Sequence, residues 1–241
     1  MVGSEYTGRA APVLKWGLVE LRAGLDASRV EALSDGIFAI VLTLLVFDLK
    51  VPRLGPTAGT PELLAGLWAI LPQALSYLLS FFALGNFWIA HRGQYHYIRR
   101  TDRALLWINL LFFLFITAIP FATAFLAEYP GQQVPVIVYG IDLALAGLTL
   151  YGHWRYVTRN ARLLDVPVPQ TLVQQQGRRI LVGPLIYLVG IASALVNAWI
   201  SLVLYLLVPI YYVLPGAVDR HWFHVPHGEG AHTGPAAERE G

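Results

Sequence analysis

Cysteine is absent from the 241 residues, which excludes disulfides and thiolate metal sites and leaves the compartment undetermined. Charge is scarce as well. Asp, Glu, Lys and Arg make up 13% of the chain against 56% hydrophobic residues, and the mean hydropathy is +0.55. A soluble domain carries about 25% charged residues, so the composition excludes one and identifies an integral membrane protein. The net charge is only +2 and no basic domain is present, which excludes nucleic acid as a partner. H-E-x-x-H, G-x-S-x-G and glycine-rich phosphate loops are all missing, so no enzyme is expected, no catalytic residue is assigned and no cofactor is implied. Residues 1–27 lack an apolar core followed by a small-residue cleavage site, and no cleaved signal peptide is expected. Short-period repeats are also absent, and residues 1–120 do not resemble 121–241, so an inverted-repeat transporter finds no support.

What the chain does have is long apolar runs. Spanning a bilayer takes about 20 mostly apolar residues per helix. Six segments qualify, at approximately 33–52, 62–90, 104–127, 134–154, 180–197 and 198–214. The last two form one block, divided near Asn197 because a single helix of roughly 35 residues would overshoot the membrane. Pro72, Pro120, Pro184 and Pro209 each fall within an apolar span and are candidate bends.

Basic residues set the orientation. With the N-terminus in the cytoplasm, Arg9, Lys15, Arg22, Arg29, Arg92, Arg99, Arg100, Arg103, Arg155, Arg159, Arg162, Arg178, Arg179, Arg220 and Arg239 all lie inside, and Lys50 and Arg53 lie outside. That asymmetry predicts both termini in the cytoplasm. The sequence therefore divides into a cytoplasmic segment 1–27, a transmembrane domain 28–214 and a flexible cytoplasmic tail 215–241, with residues 155–179 as the one sizeable cytoplasmic connection.

The first helix carries the most information. Ser28 and Glu31 form an S-x-x-E capping box, which starts the helix at Arg29 and runs it to about residue 49. At about 100° per residue, Gly36, Ile40, Thr43, Leu44 and Phe47 share a stripe roughly 100° wide, and Asp35 points about 130° from its centre. One face is apolar and could meet symmetry mates in a constriction, or lipid, or a packing partner. The other turns Asp35 toward partners within the subunit. Arg29, Ser34, Asp35, Trp88 and His91 all lie near the cytoplasmic ends of their helices and can form an interhelical polar network.

Elsewhere, Asp142 sits roughly 12 Å into the fourth span by helical rise and needs a partner or a wet crevice. It is the best residue for an alternative reading as a proton-coupled secondary transporter, with Asp35 as the other candidate. The run from Val138 to Asp142 matches part of a potassium-filter sequence but falls inside an apolar span, where no re-entrant loop can form, and is read as coincidence. His221, His224 and His227 recur in the tail without a nearby carboxylate or cysteine and are read as solvated, so no metal site is assigned.

Arg29, Leu33, Ser34 and Asp35, followed by Gly-Ile-Phe-Ala-Ile-Val-Leu-Thr, resemble the R-x-x-x-F-S-D opening of the transmembrane protein 175 family of lysosomal and prokaryotic potassium channels, with Leu33 in place of the phenylalanine. Trp88-Ile-Ala-His91-Arg92 and the stretch from Asn109 to Phe121 resemble that family too. The resemblance implies an all-α membrane protein in the prokaryotic plasma membrane, with six transmembrane helices per subunit and helix one lining the central pore of a homotetramer. It implies potassium as the permeant ion, the lipid bilayer as the surroundings, and Ile40 as the constricting residue with Thr43 beside it. Leu44 and Phe47 would continue the lining. The same resemblance assigns Arg29, Ser34, Asp35, Trp88 and His91 to the family's polar network.

Overall fold

The computed structural model describes residues 27–165 and 167–213. The candidate histidines of the tail and the segment before Ala27 lie outside them. Every described element is helical. The order is α1 (Ala27–Leu44), which tightens into a 3₁₀ turn (Leu45–Asp48), then α2 (Thr60–Ala69), α3 (Leu71–Tyr95), α4 (Arg103–Glu128), α5 (Gln133–Arg159), a 3₁₀ turn (Ala161–Leu163), α6 (Gln170–Ala194) and α7 (Ala198–Val213). Five of these, α1 with its turn, α3, α4, α5 and α6, are long and apolar enough to cross a membrane, and α7 is apolar but only 16 residues long.

Three sequence expectations change. Residues 62–90 are two helices: the chain breaks at Ile70 (φ −89°, ψ 3°), and Pro72 stands in the first turn of α3. Proline lacks the N–H an interior turn would need, and its fixed φ suits a helix start. The connection expected over 155–179 shrinks to residues 160–169, because α5 continues to Arg159 and α6 already begins at Gln170. Gln174, Gln175 and Gln176 are good helix formers, and their polarity decides exposure rather than backbone conformation. Ser28 lies within α1, which is already helical at Ala27, so it does not cap the helix. The division of the last apolar block falls where expected, at residues 195–197 between α6 and α7.

Helix α1 packs on α3 and α4, while α5, α6 and α7 form the other side of the bundle, joined to the first through α4 and α3. One apolar core runs through both halves, with Phe38, Leu84, Phe112, Ile116, Tyr139, Leu143, Trp154 and Tyr205 fully or almost fully buried. Lipid tails are as apolar as these side chains, so the hydrophobic effect does little to hold such helices together and close packing against small residues must do it. Gly140 and Gly190 receive the Tyr205 ring, and Gly147 receives Pro184.

At the Arg-rich end two loops zip together. Arg99 N–H donates to Leu163 O at 2.9 Å and Asp165 N–H donates to Tyr97 O at 3.0 Å, forming a bridge between Ile98 and Leu164. Asp102 anchors this end. Its Oδ1 caps α4 by accepting from Leu105 N–H at 2.9 Å, and its Oδ2 accepts from Tyr156 OH at 2.8 Å and Arg162 Nη2 at 3.0 Å. Burial pushes the Asp102 carboxyl up, but the three hydrogen bonds and the Arg162 charge outweigh it and hold it below the usual carboxylate range. A depressed folded pKa stabilises above the unfolded value, near 3.9, and that stabilisation is lost as pH falls through the folded pKa. Acidification below about pH 4 should therefore loosen this end first. Asp102→Ala is expected to cost about 1–2 kcal/mol at neutral pH, and thermal unfolding of the purified variant across a pH series would check both.

Candidate functional site

The two faces of α1 differ in burial as well as in composition. Val30, Ser34, Phe38, Val41 and Leu45 are buried against α3 and α4, a spacing of four, four, three and four residues that marks one helical face. The opposite stripe is bare: Ile40 is 61% exposed, Leu44 45% and Phe47 75%, and Gly36 and Thr43 are exposed too. Only 28% of the apolar stretch of α1 is buried, against 39–50% for the other four long spans among the described residues, so it is the least enclosed of the five. The bare surface also takes in Leu33 and Val46. Leu33 therefore replaces phenylalanine at a position that does not pack in the subunit core.

Beyond Leu44 the 3₁₀ winding matters. In a 3₁₀ turn residues i and i+3 eclipse, which sets Phe47 over Leu44 and keeps it on the stripe. Thr43 Oγ1 donates to Ile40 O at 2.7 Å. Its proton is thus committed to the backbone, and the oxygen lone pairs remain free to accept.

On the buried side, four of the five expected polar residues come together. Trp88 Nε1 donates to Asp35 Oδ1 at 2.8 Å, and the Arg92 guanidinium lies 5.7 Å from the centre of the Trp88 ring. Ser34 Oγ pairs with His91 Nδ1 at 3.1 Å, and His91 Nε2 pairs with Asn109 Oδ1 at 2.9 Å. Asn109 Nδ2 then donates to Tyr95 OH at 2.8 Å and to Leu105 O at 2.9 Å. Arg29 stands apart: it is exposed and makes no hydrogen bond or ion pair among the described residues. Five residues at about 100° each place it roughly 140° around the helix from Ser34.

Both ring nitrogens of His91 are engaged, the residue is 1% exposed, and the ring stacks on Phe112 at 5.2 Å and 7°. His91→Ala would leave Ser34 Oγ without its histidine partner, take the His91 bond from Asn109 and open a hole beside Phe112. The expected cost is about 2–4 kcal/mol, toward the lower end because polar groups also find partners in the unfolded membrane state. Arg29→Ala should stay within about 0.5 kcal/mol. Denaturant unfolding of the two purified variants compares them directly.

Sequence reasoning left out several members of these networks. His153 lies 1% exposed beside His91, with ring centres 5.7 Å apart, and pairs through Nδ1 with Gln94 Oε1. Its Nε2 has no partner among the described residues. Ser80, Thr123 and Tyr139 tie α3, α4 and α5 together, at 2.7 Å from Thr123 Oγ1 to Ser80 Oγ and 3.0 Å from Ser80 Oγ to Tyr139 OH. The available signal was a lone polar residue inside each apolar span. Asp142, one turn beyond Tyr139, is 9% exposed, and its Oδ2 is buried without a hydrogen-bond partner among the described residues. The filter-like run from Val138 lies inside α5.

The sequence profile of the family described as endosomal/lysosomal potassium channel TMEM175 matches residues 29–120, which hold α1, the network and most of α4. A potassium channel of Streptomyces collinus is 34% identical over 191 residues, covering 78% of this chain and 91% of that protein. A potassium channel of Chamaesiphon minutus is 34% identical over 203 residues, covering 82% and 98%. The mouse endosomal/lysosomal proton channel TMEM175 is 33% identical over 124 residues, which span 48% of this chain and 25% of that longer protein. The crystal structure of a lysosomal potassium-selective channel TMEM175 homolog from Chamaesiphon minutus superposes with a TM-score of 0.68 at 30% identity, over 78% of this chain and 96% of that one. Sharing its fold with that channel and 34% identity with relatives it spans almost end to end, the chain belongs to the transmembrane protein 175 family of ion channels.

Proposed function

We propose that the protein is a potassium-permeable channel of the prokaryotic plasma membrane, a homotetramer of six-span subunits with both termini in the cytoplasm and α1 of each copy around a central pore. The observation that carries the reading is the bare stripe of α1, Gly36, Ile40, Thr43, Leu44 and Phe47, on the least enclosed of the five long spans among the described residues. The names of the bacterial relatives as potassium channels support the choice of ion. A ring of four Ile40 side chains offers no oxygen ligands, so an ion passes with only part of its water, and potassium sheds water more readily than sodium. Thr43 Oγ1, with its proton turned to the backbone, adds acceptors close by. Asp35, Ser34, Trp88 and His91 hold α1 against α3 and α4 and so fix where its bare face points.

Purified protein in liposomes tests the reading. Potassium efflux should outpace sodium efflux at equal gradients, and absence of flux down both gradients would sink it. A second reading, a proton-coupled transporter, is favoured by the buried Oδ2 of Asp142, which has no hydrogen-bond partner among the described residues. It requires that Asp142→Asn abolish proton-driven flux, whereas the channel reading expects potassium efflux within about twofold of wild type in that variant.

A further inference from the structure

Beyond Phe47, in the 3₁₀ turn that follows α1, a cavity of about 320 Å³ opens between that turn, the start of α3 and the end of α4. Lone water or a bare metal ion needs a small fraction of that space. Two carboxylates line it, Asp48 from the turn and Glu128 from the last turn of α4, with Lys50 offsetting one of them. Among the described residues no group of three His, Asp or Glu side chains gathers anywhere, so the cavity lacks the ligand count of a divalent-metal site.

Its other lining is aromatic. Phe121 and Phe125 on α4 and Tyr129 just past its end follow one another at four-residue intervals. The Phe121 and Phe125 rings stack at 6.3 Å and 22°, and Tyr129 meets Phe125 edge-on at 5.7 Å and 77°. Phe121 is 71% and Tyr129 52% exposed, so ring surface is free to meet a ligand. From α3 comes Gln73, whose Oε1 has no hydrogen-bond partner among the described residues. The carboxyl end of α4 adds the negative pole of a long helix and its unsatisfied carbonyls.

Aromatic faces, carboxylate charge and a helix carboxyl terminus all attract the same kind of ligand, a large and weakly hydrated cation. We propose that this cavity binds an organic ammonium cation, with its charge between Glu128 and Asp48 and its alkyl groups against Phe121, Phe125 and Tyr129. The site is separate from the Ile40 ring and does not depend on the pore reading, because its test is binding rather than flux.

Tetraethylammonium chloride titrated into purified protein at constant ionic strength, with potassium chloride as the replaced salt, should give a saturable calorimetric isotherm. Glu128→Gln is expected to weaken it about fivefold by loss of charge, and Phe125→Leu roughly fivefold by loss of the ring face. Glu62→Gln, at an exposed carboxylate of α2 outside the cavity, should leave it unchanged. Thermal melting of each variant checks that it is folded. Absence of saturable binding, or binding that either variant leaves intact, overturns the proposal. Repeating the titration in lipid discs of no net charge, where surface potential does not concentrate the cation, distinguishes the source of the ligand: weaker apparent binding in phosphatidylcholine than in an uncharged galactolipid assigns the cavity to a lipid headgroup, and equal binding assigns it to a free cation.

Discussion

With asparagine in place of Ile40, potassium flux into liposomes is expected to rise by roughly an order of magnitude and the preference for potassium over sodium to collapse. The isoleucine is 61% exposed in the subunit, so a polar replacement leaves no buried group unsatisfied there and the fold should survive. In the proposed tetramer the consequence differs. Four isoleucines present only carbon to an ion and disfavour a continuous water column, and the resulting penalty depends on how tightly each ion holds its shell. Four carboxamides can hydrogen-bond to water and replace lost ligands, so the penalty falls for both ions. It falls more for sodium, which had the larger one. An order of magnitude in rate corresponds to about 1.4 kcal/mol of barrier, less than one buried hydrogen bond to a charged group contributes at the upper end. Unchanged selectivity in a well-folded Ile40→Asn protein would move the constriction elsewhere on α1, with Leu44 and Phe47 the next rings to test.

The stripe on α1 was legible because a helix's own period decides it. Ile40, Thr43, Leu44 and Phe47 share a face whatever α1 packs against, and the buried spacing of Val30, Ser34, Phe38, Val41 and Leu45 is its complement. Pairings between helices were less legible. That Trp88 reaches Asp35 and His91 reaches Ser34 follows from residues at matching depths in neighbouring spans. That His91 also meets Asn109, and that His153 and Gln94 sit beside it, depends on rotation and register of α4 and α5, which no single-helix pattern fixes. The misjudged connection at 155–179 has a similar cause. Helices α5 and α6 carry their polar ends as regular helix, and composition alone reads such turns as loop. The break at Ile70 was present in the sequence as Pro72, but a proline within a long apolar run reads equally well as a kink.

The largest stability effect is expected where α5, α6 and α7 meet around one tyrosine. Tyr205 is fully buried on α7, and its ring lies between two glycines on the neighbouring helices, Gly140 of α5 and Gly190 of α6. A methyl group at Gly140 would stand 2.0 Å from the Tyr205 hydroxyl oxygen and 2.7 Å from Cζ, and one at Gly190 would stand 2.3 Å from Cε1. The ring cannot step aside, since Tyr187 packs against it at 5.6 Å and Tyr139 at 5.9 Å, and its hydroxyl donates to Val136 O at 3.2 Å. Gly140→Ala and Gly190→Ala should therefore each cost about 3 kcal/mol, at the upper end of overpacking penalties, with the helices forced apart along a contact that depends on close approach. Tyr205→Phe separates the two. It removes the atom that the Gly140 methyl meets first, and it forfeits one hydrogen bond worth about 1 kcal/mol or less, because Val136 O retains its place in the α5 ladder. The double variant Gly140→Ala with Tyr205→Phe should recover part of the lost stability. Gly190→Ala with Tyr205→Phe should recover none, because the Gly190 methyl meets ring carbons that phenylalanine keeps. A double-mutant cycle on thermal unfolding measures the difference, and equal recovery in both pairs would mean that the hydroxyl of Tyr205 is not what the glycine at 140 accommodates.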